Sequence, residues 1–155
     1  MRPCAAALAV GLMIVPFGAP LLAQDAKDEA IKKDRKQYEG TWQVVLLEVN
    51  GNKAGEEDAK KITVINEADG KWALEAEGKV VARGTSVIDP TKKPKTVDLK
   101  ITEGDDKGKT ALGIYEFSAD TRKVCLAPPG KERPTEFAAP SGSDHVLAVL
   151  KRVKK

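Results

Sequence analysis

Histidine occurs once in this 155-residue chain, cysteine and methionine twice each, and aromatic residues make up only 5% of it. Each scarcity closes a class of function. Two Cys and one His fall short of the four Cys and His ligands of a structural zinc site, which is excluded. With one His, His145, nucleophilic catalysis has a single imidazole base to draw on. A dominant charge is missing as well: 26 Lys and Arg face 23 Asp and Glu, for a net +3. Phosphate backbones demand a concentrated basic face, so nucleic acid is not an expected partner. Finally, no apolar run is long enough to span a bilayer. The longest, Ala5–Val15, has 11 residues, and Pro16 and Pro20 interrupt its continuation. A spanning helix needs roughly 20 apolar residues.

That short run points to a compartment instead. Arg2 is the only ionised side chain before Asp25, the apolar segment follows it, and Leu21-Leu22-Ala23 leads into polar sequence. A positive start, an apolar centre and a small residue at the end make residues 1–23 a secretory signal peptide. Cleavage is predicted after Ala23, delivering the protein to the periplasm or the medium with no stable membrane insertion. Cys4 precedes the apolar segment, which gives no lipid-attachment cysteine at the cleavage point. Export leaves 132 residues with 25 basic and 23 acidic side chains and one cysteine, Cys125. A lone Cys cannot form an internal disulfide. A chain of this size folds without one, since it buries about two thirds of its unfolded surface.

Past the signal, residues 24–37 are charged and free of Gly and Pro, with Ala26, Ala30 and Ile31 on one side of a short helix that caps something else. From Tyr38 onward the pattern becomes eight short runs. They are 41–49, 62–66, 71–76, 79–88, 96–102, 110–117, 123–127 and 145–153, broken by Asn50-Gly51, Asp69-Gly70, Glu77-Gly78, Asp89-Pro90 and Glu103-Gly104 among other turns. Val97, Leu99 and Ile101 alternate with Asp98, Lys100 and Thr102; Trp72, Leu74 and Ala76 alternate with polar neighbours. Strict period-two alternation with tight turns predicts an all-β fold, an eight-stranded antiparallel meander barrel over residues 38–155 preceded by the short helix. The loop 50–61 is expected to lie over a barrel mouth.

Gly40-Thr41-Trp42 opens the first strand after that helix, as the Gly-x-Trp motif does in lipocalins and related calycin barrels. The chain resembles that family, in which a basic residue near the C-terminus packs over the Trp. The resemblance implies this role for Arg152. A more extensive likeness covers residues 38–151. Glu39–Val45, Asp89–Asp98, Gly113–Glu116 and Cys125–Phe137 resemble a small exported domain of planctomycete bacteria. That family implies a secreted lipocalin-like barrel and supplies no catalytic residue.

Candidate sites divide by position. Cys125, Asp144 and His145 are the one set that could form an activated thiol, but adjacent strand residues point to opposite faces, and a small buried Cys is the simpler reading. Glu56–Asp58 and Glu103–Asp106 lack the spacing of a calcium loop and read as solvated turns. No metal, cofactor or catalytic residue is expected. Lys92–Lys95 and the basic tail 151–155 could meet anionic envelope polymers, or serve only solubility. Pro128, Pro129, Lys131 and Arg133 form a stiff loop, read as a rim with cations for an anion or as a structural turn. Trp42, Val44, Leu46, Trp72, Leu74, Leu99, Ile101, Leu112 and Ile114 are the predicted inner rows. They either fill the barrel or line a cavity, and small inward residues such as Ala82, Gly84 and Ser86 leave room.

The functional expectation is an exported, monomeric, non-enzymatic module that binds a small apolar or amphipathic ligand inside the barrel. Its alternative is an envelope-interaction or structural module acting through the charged surface and the Pro-rich loop.

Overall fold

Alternating apolar residues give each short strand one face to bury, and here the sheet buries it by closing on itself. A computed structural model describes residues 19–154. The predicted signal segment lies outside the described residues through position 18. Helix α1 (Ala19–Tyr38) is followed by β1 (Gly40–Val49), β2 (Asn52–Lys53), α2 (Glu56–Ala59), β3 (Ile62–Asn66), β4 (Lys71–Ala76), β5 (Lys79–Asp89), β6 (Lys95–Glu103), β7 (Thr110–Ser118), β8 (Thr121–Leu126) and β9 (Val146–Arg152). From β3 to β9 each strand pairs antiparallel with the next, and β1 joins β3 on one side to β9 on the other. The result is a closed antiparallel barrel of eight strands, with the two-residue β2 added to β1 as a small hairpin. Closure removes the open edges that would otherwise invite pairing with another chain.

The hairpins follow local turn chemistry. Between β4 and β5, Glu77 and Gly78 both adopt positive φ, 52° and 77°. Two successive left-handed residues match the twist of the flanking strands and fix a tight two-residue connection.

Three β-bulges then decide which side chains face inward. In β1 the pairing with β9 shifts between Val44 and Leu46, so Val44 lies opposite Leu150 but Leu46 lies opposite Val149. The extra residue reverses the alternation beyond it. Trp42 and Val44 face in, and past the bulge Leu47 and Val49 take over. Leu46, expected in the inner row, therefore faces outward. Further shifts fall between Leu74 and Glu75 and between Arg83 and Gly84.

On β7 the expected parity is also reversed. Leu112 pairs with Asp98 and Ile114 with Thr96, both on the outer face of β6, while Ala111, Gly113 and Tyr115 sit opposite Leu99, Val97 and Lys95. Ile114 is nonetheless buried, as is its partner Cys125 across the β7–β8 ladder. The long β8–β9 connection crosses the outside here: the Cys125 thiol donates to Ala138 O at 3.3 Å and Ala139 is buried. A second, smaller apolar layer thus forms under a loop, outside the barrel.

Helix α1 covers one end of the barrel. As described it runs across the predicted cleavage point, and Leu21 and Leu22 on it are 75% and 73% exposed. Its packed face runs through Ile31, Asp34, Arg35 and Tyr38, spaced three and four apart. Ala26, expected on that face, is exposed. The face is largely polar, so hydrogen bonds seat it as much as apolar burial does. Asp34 accepts from the Tyr115 hydroxyl and from Lys95 Nζ, both at 2.8 Å, and Arg35 donates to the Ser86 hydroxyl at 2.7 Å and to its carbonyl. No described helix is long and apolar enough to cross a membrane.

Candidate functional site

The meander brings the ends of β5, β6, β7 and β8 against α1, and the opposite end of the barrel is an open mouth. Trp42, Asn66, Trp72, Val97, Tyr115, Arg122 and Leu150 belong to the helix-covered half by register. Val49, Leu74, Ile101, Ala111, Leu126 and Val146 belong to the open half.

At the covered end the interior is filled. The Tyr38 ring meets the Tyr115 and Phe117 rings edge to face, with centroids 5.2 and 5.7 Å apart, and Phe117 lies 6.1 Å from Trp42. Trp42 is fully buried and its indole N–H donates to Tyr38 O at 2.9 Å. Arg152 lies over the Trp42 ring, its guanidinium carbon 4.2 Å from the centroid, and donates to Glu39 O at 2.7 Å and to Gln37 O. The same guanidinium thus covers the tryptophan and caps carbonyls at the end of α1. Tyr115, buried and bonded to the Asp34 carboxylate, has its hydroxyl pKa driven far above the ordinary phenol range, mainly by burial.

Toward the mouth the aromatics stop and a cavity of about 610 Å³ opens. Of the residues expected to line it, Val44, Trp72, Leu74, Leu99 and Ile101 do. Trp42 belongs instead to the filled end, Leu46 and Leu112 face outward, and Ile114 packs in the outer layer. Small residues make the space: Ala82, Ala111 and Ala148 line it. Gly84 is required on different grounds. A Cβ there would meet Lys100 O and come within 2.6 Å of Trp72 Cζ2, so the indole rests against bare backbone.

Polar lining sits at the two ends. Asp105, Asp106 and Asp144 stand at the mouth, near Pro128 and Pro129, which form part of its rim. Tyr38, Asn66 and Arg122 lie in the covered half, and Arg122 is only 2% exposed. Its guanidinium stacks over Tyr38 at 4.3 Å and over Trp42 at 4.7 Å. Burial pulls its pKa below the ordinary guanidinium value, although an arginine stays charged in any case.

Neither Arg122 nor Asn66 belonged to the predicted site. The signal was present: Arg122 shares parity with Val124 and Leu126, and Asn66 with Ile62 and Val64. A charged residue in phase with an inward apolar row is the pattern to look for.

The remaining candidates lie elsewhere. Arg133, read as a rim cation or as part of a structural turn, has the structural role: it donates to Val97 O at 3.1 Å, Gly113 O at 2.8 Å and the Asp98 carboxylate at 2.7 Å. Lys131 is exposed and away from the cavity lining. No residue of the loop 50–61 lines the cavity; Ala59 packs against the core, and Lys60 O accepts from Gln43 Nε2 at 3.0 Å. Burial pushes the Cys125 thiol pKa up, the opposite of an activated nucleophile. Among the described residues, no cluster of three or more His, Cys, Asp or Glu side chains could hold a metal ion. No family model, no curated protein and no solved structure matches this chain, so its functional reading rests on the cavity itself.

Proposed function

We propose that this chain is an exported, non-enzymatic binding module that takes one small apolar or amphipathic molecule into its barrel. The cavity of about 610 Å³ carries the reading. It falls in the range of ligand pockets, roughly 300–1,000 Å³, and has the usual make-up of apolar walls with a few polar groups. Apolar burial at about 25 cal/mol per Å² supplies the driving force. Export rests on the pattern of residues 1–23 and on the lipocalin-like opening Gly40-Thr41-Trp42. The envelope-interaction reading has less support, because Arg133, the strongest recognition group of the Pro-rich loop, is already bonded within the fold.

Titration with the neutral probe N-phenyl-1-naphthylamine tests the binding reading. Saturable fluorescence enhancement is expected at one probe per chain, and Leu99→Trp, which narrows the cavity, should weaken it. A folded wild-type protein that gives no saturable signal would refute the reading. Salt-sensitive retention on envelope material without probe uptake would favour the alternative.

A further inference from the structure

Three residues on the cavity wall carry buried donors that the fold leaves unmatched. Asn66 Nδ2, Trp72 Nε1 and Arg122 Nε and Nη1 have no hydrogen-bond partner among the described residues. Buried donors are almost always paired, so several unpaired ones on one cavity call for an explanation. All three residues line the same space. Asn66 and Trp72 are cross-strand partners on β3 and β4, and Arg122 faces them from β8 on the far side of the barrel. Asn66 and Arg122 are 6% and 2% exposed.

The sign of the unmatched groups is uniform. An amide NH₂, an indole N–H and a guanidinium only donate, and the guanidinium is a permanent cation. The ionisable groups acting on Arg122 are Tyr38 and Arg152, and neither is a carboxylate. Its stacking on Tyr38 and Trp42 positions the charge without neutralising it. A buried cation without a counter-charge is strongly unfavourable, and an anion that supplies acceptor oxygens resolves it. The acid side chains of the cavity, Asp105, Asp106 and Asp144, are all at the mouth. They repel an anionic group there, and apolar side chains such as Val64, Leu74, Leu99 and Val124 occupy the space between.

We propose that the covered end of the cavity is a carboxylate subsite, with Arg122 as its cation and Asn66 and Trp72 as flanking donors. The ligand is a monocarboxylate with an apolar tail, held with its head group inward against Arg122 and its tail along the apolar walls toward the acidic mouth. This inference rests on the proposed binding function and names the ligand class of that same cavity.

Competition against bound N-phenyl-1-naphthylamine on the full chain separates the two. Dodecanoate should displace the probe at a concentration at least about tenfold lower than 1-dodecanol, because only the acid supplies a charge-assisted bond to the guanidinium. Dodecylammonium should compete worse than the alcohol. Arg122→Met should abolish the preference for the acid, read as the ratio of the dodecanoate and 1-dodecanol concentrations that displace the probe from the same variant, and its melting temperature should hold or rise because an unpaired buried charge has been removed. Asn66→Leu, a milder change, should reduce the preference without abolishing it. Equal competition by acid and alcohol on wild-type protein would overturn the subsite while leaving the binding function intact. Failure of the probe itself to bind would overturn both. Should Arg122→Met fail to fold, a reduced acid preference in Asn66→Leu supports the subsite, and full retention of it there opposes it.

Discussion

The two ends of the barrel are built from the same strands by opposite means. Under α1, four of the six aromatic residues beyond position 23 (Tyr38, Trp42, Tyr115 and Phe117) fill the interior and Arg122 and Arg152 lie on their faces. At the mouth the inner positions are taken by Ala82, Ala111, Ala148 and mid-sized aliphatics, and the space stays open. An eight-stranded barrel is either filled by side chains or left with room for one small ligand, and the chain has few aromatics to place. It concentrates them at one end, which becomes the stable floor, and the other end becomes a container. Stability and binding should therefore respond to substitution at different ends.

The sharpest test of that division is Trp42→Ala. It removes the largest fully buried side chain and the surface on which both arginines stack. A loss of about 3–5 kcal/mol is expected, read as a shift of the urea midpoint. Tyr115→Phe follows. It withdraws one of the two donors to the buried Asp34 carboxylate and leaves Lys95 alone, at a cost of about 1.5–3 kcal/mol. If either variant unfolds no more easily than wild type, the aromatic end is not the floor.

A matched pair of enlargements divides the ends directly. Val97 is fully buried in the core cluster, so Val97→Phe should overpack it and cost about 1–3 kcal/mol. Ala82 lines the cavity, so Ala82→Leu enlarges a side chain into free volume and should change stability by less than about 1 kcal/mol. The binding readout should reverse the order: Ala82→Leu weakens uptake of the naphthylamine probe, while Val97→Phe, if folded, affects it less. Similar stability losses in the two variants would erase the distinction between floor and container.

How much of this could be read from residues alone depends on where alternation was undisturbed. Val97–Ile101 and Trp72–Leu74 obey period two, and their inward faces and strand pairings follow from it. Leu46 broke the pattern because a bulge inserts one residue into β1, and nothing in Val44-Val45-Leu46-Leu47, apolar at every position, marks where. On β7, Leu112 and Ile114 are more apolar than Ala111 and Gly113, so hydrophobicity pointed to the wrong face. The β8–β9 loop buries that outer face, and Gly113 must be small because a Cβ there would lie 2.7 Å from Cys125 O. The covered end was harder still. Its helix binds through Asp34 and Arg35, which look solvated in any composition-based reading. Arg122 sits one residue before the apolar run as it was delimited, at 123–127. A buried charge is invisible until the partner surfaces, here Tyr38 and Trp42, are brought to it from the far end of the chain.

The smallest expected effect concerns how α1 is held onto the floor along its outer half. Lys27 Nζ pairs with the Asp89 carboxylate at 2.9 Å, and Asp89 also accepts from the Thr91 hydroxyl at 2.6 Å. The Thr91 hydroxyl and then Lys27 hold the Asp89 pKa down to about 2, below the ordinary 3.8. A depressed carboxyl pKa favours the folded state wherever the group is ionised. The contribution is therefore complete above about pH 4 and is lost as pH falls from about 4 to about 2. Lys27 is 40% exposed, so solvent screening holds the effect below about 1 kcal/mol. Asp89→Asn should lower the melting temperature slightly at pH 6, and the gap to wild type should close by pH 2. It should also narrow in high salt, which screens a surface pair. A gap that persists unchanged at pH 2 would show that the Asp89 side chain acts through shape rather than charge. The charged contacts that hold the helix onto the floor would then be those of Asp34 and Arg35, beside the packing of Ile31 and Tyr38.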